Sequence, residues 1–125
     1  MRDSLNRRER LDRLARWMGW EPRDLEPDGA GVRYYSLARG WEFTLWPDGK
    51  TKGWSPLEID ADALHLLGRY LELANTDHYW ELSGAFEYYR CSLCRFDTET
   101  DRGRGAGRTM AAAIVETIED LMERG

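Results

Sequence analysis

The segment Asp101-Arg-Gly-Arg-Gly-Ala-Gly-Arg-Thr109 carries the sharpest chemical suggestion in this chain. A glycine-rich turn that enters a helix N-terminus offers free backbone N–H groups and the positive end of the helix dipole, so an anion such as phosphate could sit there. Arg102, Arg104 and Arg108 would supply charge, Gly105 and Gly107 close backbone approach, and Thr109 the start of the helix. The segment has neither the Lys-Ser/Thr ending of a P-loop nor the spacing of a dinucleotide fingerprint. It therefore reads first as a flexible connector and second as an anion site.

Three other groupings invite a chemical reading. Cys91-x-x-Cys94 has half of a zinc spacing, but four ligands are needed, and His65 and His78 are not paired in sequence. The two cysteines read better as small buried residues of one strand. Glu58, Asp60 and Asp62, with His65 one turn on, could bind a divalent ion through oxygen, although acids also gather at helix N-termini for electrostatic reasons alone. Among six Trp and six Tyr, most should fill a core, while Trp46, Trp54, Tyr34 and Tyr79 are left as aromatics that could line a groove or an oligomer interface. Two histidines assemble no Ser/His/Asp or Cys/His set, so no catalytic residue and no cofactor is expected.

The elements that must position these groups follow from periodicity. Leu11, Leu14, Ala15 and Met18 make one apolar stripe, which predicts a helix from about Ser4 to Met18, with Ser4 as N-cap, Gly19 at the left-handed C′ position and Trp20 folded back on the last turn. On its other face Arg8 with Asp12, Glu9 with Arg13, and Asp12 with Arg16 are spaced for ion pairs. Glu21–Gly31, with two Pro and two Gly, reads as a loop. Val32–Leu37, Trp41–Trp46 and Thr51–Trp54 read as short strands around a Pro47-Asp48-Gly49-Lys50 turn, with the pairing left open.

Ser55-Pro-Leu-Glu58 is a capping box, so a second helix should start near Pro56 and run to about Ala74, burying Leu64, Leu67, Gly68 and Leu71 with Leu66, Tyr70 and Leu73 beside them. Tyr79–Ser83 and Phe86–Phe96 suggest a hairpin turning near Gly84, and Asp97–Arg108 a polar loop. Ala111, Ile114, Val115, Ile118, Leu121 and Met122 make a clean stripe for a last helix capped by Thr109, with Glu116, Glu119, Asp120 and Glu123 outside.

A chain of 125 residues that is 42% apolar and 33% charged suits a single globular domain spanning 1–125. No apolar run is long enough for a bilayer, and residues 1–16 lack the apolar stretch of a signal peptide, so a cytoplasmic protein without a membrane partner is expected. The net charge of −5 is uneven: residues 1–16 and 102–108 each carry +3, which leaves −11 elsewhere. That balance speaks against a nucleic-acid binder, although Arg2, Arg7, Arg8 and Arg10 with the 102–108 segment could form two basic patches.

Taken in order, Leu14-Ala-Arg-Trp-Met-Gly-Trp20, Trp54-Ser-Pro-Leu-Glu-Ile-Asp-Ala-Asp-Ala-Leu64, Tyr89-Arg-Cys91 and Thr109-Met-Ala-Ala-Ala-Ile-Val115 resemble the phage ABA-sandwich domain family. This resemblance implies an α+β fold, a three-layer α/β/α sandwich with three helices and an antiparallel sheet of about four to five strands. It also implies a phage or prophage origin, and it supplies no catalytic residues. The expectation is an accessory protein that acts by binding, either on a host defence protein or on a small nucleotide signal. A nucleic-acid or nucleoprotein module stands second, a metal-dependent hydrolase on Glu58, Asp60, Asp62 and His65 third, and a homodimer fits the surplus of aromatics.

Overall fold

The computed structural model describes residues 6–25, 31–36, 41–74, 77–96 and 101–124. Among the described residues three helices and seven strands make an α+β protein, and the strands are divided between two antiparallel sheets rather than gathered into one of four to five. The chain falls into two compact units, Met1–Trp54 and Ser55–Gly125. Among the described residues no helix is long and apolar enough to cross a membrane.

The first unit begins with helix α1 (Arg7–Trp17), whose N-cap is Asn6: its side chain accepts from the Glu9 N–H at 2.8 Å. Ser4 lies outside the described residues. At the other end Gly19 takes a φ of 86°, and the N–H groups of Gly19 and Trp20 donate to the carbonyls of Arg16 and Ala15, a Schellman ending that swings Trp20 onto the helix. Leu11, Leu14 and Ala15 are buried, as their spacing predicts.

Strands β1 (Glu21–Leu25), β2 (Val32–Ser36), β3 (Trp41–Leu45) and β4 (Thr51–Lys52) form a meander in chain order. The loop expected over Glu21–Gly31 is thus corrected over its first five residues. Pro22 argues against a strand in sequence, yet β1 is an edge strand with an irregular register between Pro22 and Asp24, where a missing N–H is tolerated. The core is aromatic. Phe43 lies 4.8 Å from Tyr34 in a stacked pair, 5.0 Å from Trp20 and 5.2 Å from Trp54, with Trp20 and Trp54 stacked at 5.4 Å. Such offset pairs add about 0.5–1.5 kcal/mol each beyond their burial.

The second unit holds α2 (Asp60–Leu73), β5 (His78–Ala85), β6 (Tyr88–Arg95), β7 (Asp101–Gly107) and α3 (Met110–Arg124), with sheet order β5-β6-β7. Helix α2 starts four residues later than the capping box suggests. The box closes a separate turn instead: the Ser55 hydroxyl donates to Glu58 at 2.5 Å and the Ile59 N–H to the Ser55 carbonyl at 2.8 Å. The buried stripe of α2 is Ala63, Leu66, Leu67 and Tyr70, while Leu64, Leu71 and Leu73 are exposed, a shift of one residue from the expected face. The β5–β6 turn falls at Phe86 and Glu87, not at Gly84, which lies in β5 beneath the Tyr89 ring.

The largest correction concerns residues 101–107, expected as a loop and found as strand β7, paired antiparallel with β6. Gly103, Gly105 and Gly107 recur at the strand period of two, so they share one face, and α3 lies directly on it. A Cβ built on Gly105 would fall 2.7 Å from the Thr117 backbone nitrogen, and one on Gly107 2.7 Å from the Ala112 methyl. Helix and strand therefore meet backbone to backbone. Glu119, expected outside, is buried on α3.

Glycine at 105 and at 68 should respond to substitution with opposite signs. Gly105→Ala forces α3 off the strand and should lower the unfolding free energy by about 1–3 kcal/mol. Gly68, within α2, has nothing within 4 Å of a built Cβ, so Gly68→Ala should raise stability by about 0.5–1 kcal/mol. Urea unfolding midpoints at constant m-value measure both.

Candidate functional site

All but Arg108 of the residues singled out around 101–109 have contacts within the second unit. Gly105 and Gly107 face α3 and cradle nothing. Thr109 caps α3, accepting from the Ala112 N–H at 3.0 Å, and the Ala111 N–H donates to Asp60 Oδ1 at 3.0 Å. The helix N-terminus that would have bound an anion is thus met by a carboxylate of the same chain. Arg102 Nη1 lies 3.1 Å from His78 Nε2, and the Arg104 N–H donates to Asp120 Oδ2 at 3.0 Å, which satisfies a donor on the edge of the sheet. Arg108 is exposed beyond the strand end.

The other groupings are equally absorbed. Glu58 accepts from the Ser55 hydroxyl, Asp62 from the Ser55 N–H at 2.8 Å, and Asp60 caps α3. Among the described residues no group of three or more His, Cys, Asp or Glu is placed to hold a metal ion. Cys91 and Cys94 are buried and form no disulfide, and burial pushes the Cys91 thiol pKa up. Trp54 and Tyr34 belong to the aromatic core of the first unit rather than to a surface, and Tyr79 is half-buried against Phe96, with ring centroids 4.5 Å apart. Trp46 is half-buried at the β3–β4 turn.

What the sequence reading missed is a cleft in the first unit of about 440 Å³, between α1 and the sheet, lined by Arg8, Glu9, Asp12, Arg13, Arg16, Pro22, Val32 and Tyr34. The Tyr34 ring is core, but its hydroxyl reaches the cleft and donates to Asp12 Oδ1 in a short hydrogen bond. Arg16 Nε lies 3.1 Å from both Asp12 oxygens. Asp12 is therefore held by Tyr34 and Arg16, and the expected pairs Arg8–Asp12 and Glu9–Arg13 do not form. Arg8 and Arg13 have no ion-pair partner among the described residues, so three guanidinium groups against two carboxylates leave the cleft positive.

Burial first, and the bond to Asp12 second, hold the Tyr34 pKa well above the ordinary tyrosine value. Near neutrality the phenol is a fixed donor and no general base. The arrangement can orient and neutralise an anion. Of the basic residues expected near the N-terminus, Arg2 lies outside the described residues, and Arg7 is turned to the Gly49 carbonyl at 2.8 Å.

Because the folded-state pKa of Tyr34 is raised, its bond stabilises fully below the unfolded tyrosine value of about 10 and is lost as pH climbs from there toward the folded value. Tyr34→Phe should cost about 0.5–1.5 kcal/mol at neutral pH. Above pH 10 the gap between wild type and variant should close, as read from urea unfolding between pH 7 and pH 11.

Comparison with family models, with curated proteins and with solved structures finds no match to this chain.

Proposed function

We propose that this chain is a binding protein without catalytic activity, which captures a small phosphorylated ligand such as a nucleotide signal in the α1 cleft of its first unit. The observation that carries this reading is the pair Arg8 and Arg13, which line the cleft with no ion-pair partner among the described residues while Arg16, Asp12 and Tyr34 lock one another in place. Guanidinium forks suit phosphate oxygens, and a cleft of this size accepts a small organic phosphate. Tyr34 and Arg16 hold Asp12, and three arginines against two carboxylates leave the site positive.

This reading moves the anion site from the glycine-rich strand to α1. It fits the phage or prophage accessory role that the family resemblance implies, with sequestration of a host nucleotide signal as the counter-defence action in the cytoplasm. Inhibition of a host protein by direct contact is the second version, favoured by Phe86 and Tyr88, exposed around the β5–β6 turn.

Calorimetric titration with mononucleotides, dinucleotides and cyclic dinucleotides at low salt tests the reading. Arg8→Ala or Arg13→Ala should each weaken binding roughly 10- to 100-fold, the worth of a charge-assisted hydrogen bond, with the circular dichroism spectrum unchanged. Arg104→Ala and Arg108→Ala should have no effect. Absence of heat with every ligand, or loss of binding in the Arg104 and Arg108 variants alone, would refute it.

A further inference from the structure

A second depression, of about 690 Å³, lies on the β3–β4 hairpin of the first unit and is lined by Trp46, Pro47, Asp48, Lys50, Thr51 and Lys52. Its composition is unusual for this chain. Lys50 and Lys52 are the only lysines among eighteen basic residues, and both stand in the same depression as a half-buried tryptophan. Lys50 Nζ approaches Asp48 only to 3.9 Å, with both side chains largely exposed, and Lys52 has no ion-pair partner among the described residues. Two ammonium groups thus remain available beside an indole and a proline ring.

The turn beneath them is rigid. The Trp46 N–H donates to the Lys50 carbonyl at 3.0 Å, the Gly49 N–H to the Trp46 carbonyl at 2.9 Å, and the Lys50 N–H to Asp48 Oδ1 at 3.0 Å. Gly49 takes a φ of 89°, and the Arg7 side chain covers it so closely that a Cβ there would lie 2.7 Å from the Arg7 methylenes. Arg7 Nε also donates to the Gly49 carbonyl at 2.8 Å. A site built on such a turn loses little freedom when a ligand binds.

We infer that this hairpin binds a nucleoside 5′-phosphate, with Trp46 stacking on the base and Lys50 and Lys52 taking the phosphate. A planar face beside two exposed ammonium groups matches a planar ring that carries an anion. Asp48 is placed to accept from a ribose hydroxyl or an exocyclic amine. The site is separate from the arginine cleft and does not depend on it.

The test is titration of the whole chain with AMP, GMP, CMP and UMP, followed by calorimetry and by quenching of tryptophan fluorescence. Binding with quenching is expected, the quenching rather than the total heat reporting this site, with Trp46→Ala weakening binding here roughly tenfold or more and Trp46→Phe retaining most of it. If Trp46→Ala fails to fold, Lys50→Glu with Lys52→Glu, both on exposed positions, should abolish the quenching on a folded chain. Full affinity in the lysine double variant would overturn the inference, as would absence of binding to all four nucleotides. Binding only to single-stranded oligonucleotides would overturn it in favour of a polymer site.

Discussion

The backbone contact between β7 and α3 is the constraint from which the second unit is built. Three glycines at alternate positions clear one face of an edge strand over 103–107, and a helix with Ala112, Ala113 and Thr117 on the facing side settles onto it. The buried Thr117 hydroxyl lies 2.7 Å from the Ala113 carbonyl and 3.3 Å from the Cys91 carbonyl, so the helix is tied to the central strand as well. Tyr89, Cys91 and Leu93, the β6 partners of Gly107, Gly105 and Gly103, then form the floor under α3. Side chains of ordinary size at 103, 105 and 107 would hold the helix away and open voids over Cys91 and Leu93, which close packing does not tolerate.

The same contact explains why Asp60, Asp120 and the Arg104 backbone are engaged within their own chain. A helix pressed onto an edge strand brings its N-terminus beside α2, where Asp60 meets the Ala111 N–H, and its last turns beside Arg104, where Asp120 accepts from the backbone and pairs with Arg124 at 3.0 Å. Asp60 and Thr109, which look chemically active in sequence, are therefore engaged in capping, and Asp120 in edge protection.

In the first unit the governing element is the aromatic cluster around Phe43. It fixes the Tyr34 ring in the core and thereby aims one hydroxyl at Asp12. Asp12 accepts from Tyr34 and Arg16, while Arg8 and Arg13 line the cleft with no ion-pair partner among the described residues. Core packing and surface charge are linked through a single phenol.

Much of the fold is legible along the chain. Leu11, Leu14 and Ala15 announce α1, Gly19-Trp20 its Schellman ending, and Ala111, Ile114, Val115 and Ile118 the last helix, because helical periodicity and capping are local effects that act within one or two turns. Strand positions in 32–52 and 78–95 follow from alternation and turn chemistry in the same way. Tertiary structure alone decided the rest. The Gly-x-Gly-x-Gly alternation at 103–107 carries a strand period, but glycine has no intrinsic preference for a strand, and only α3 pressing on that face makes it one. Pro22 in a strand needs an edge, which no local signal supplies. The α1 cleft joins residues 8–16 to residues 22–34, and which arginine remains unpaired depends on a tyrosine twenty-two positions away from Asp12. Local sequence determines which elements form; the competition of distant groups for one carboxylate, one helix end or one smooth face determines which side chains remain available for function.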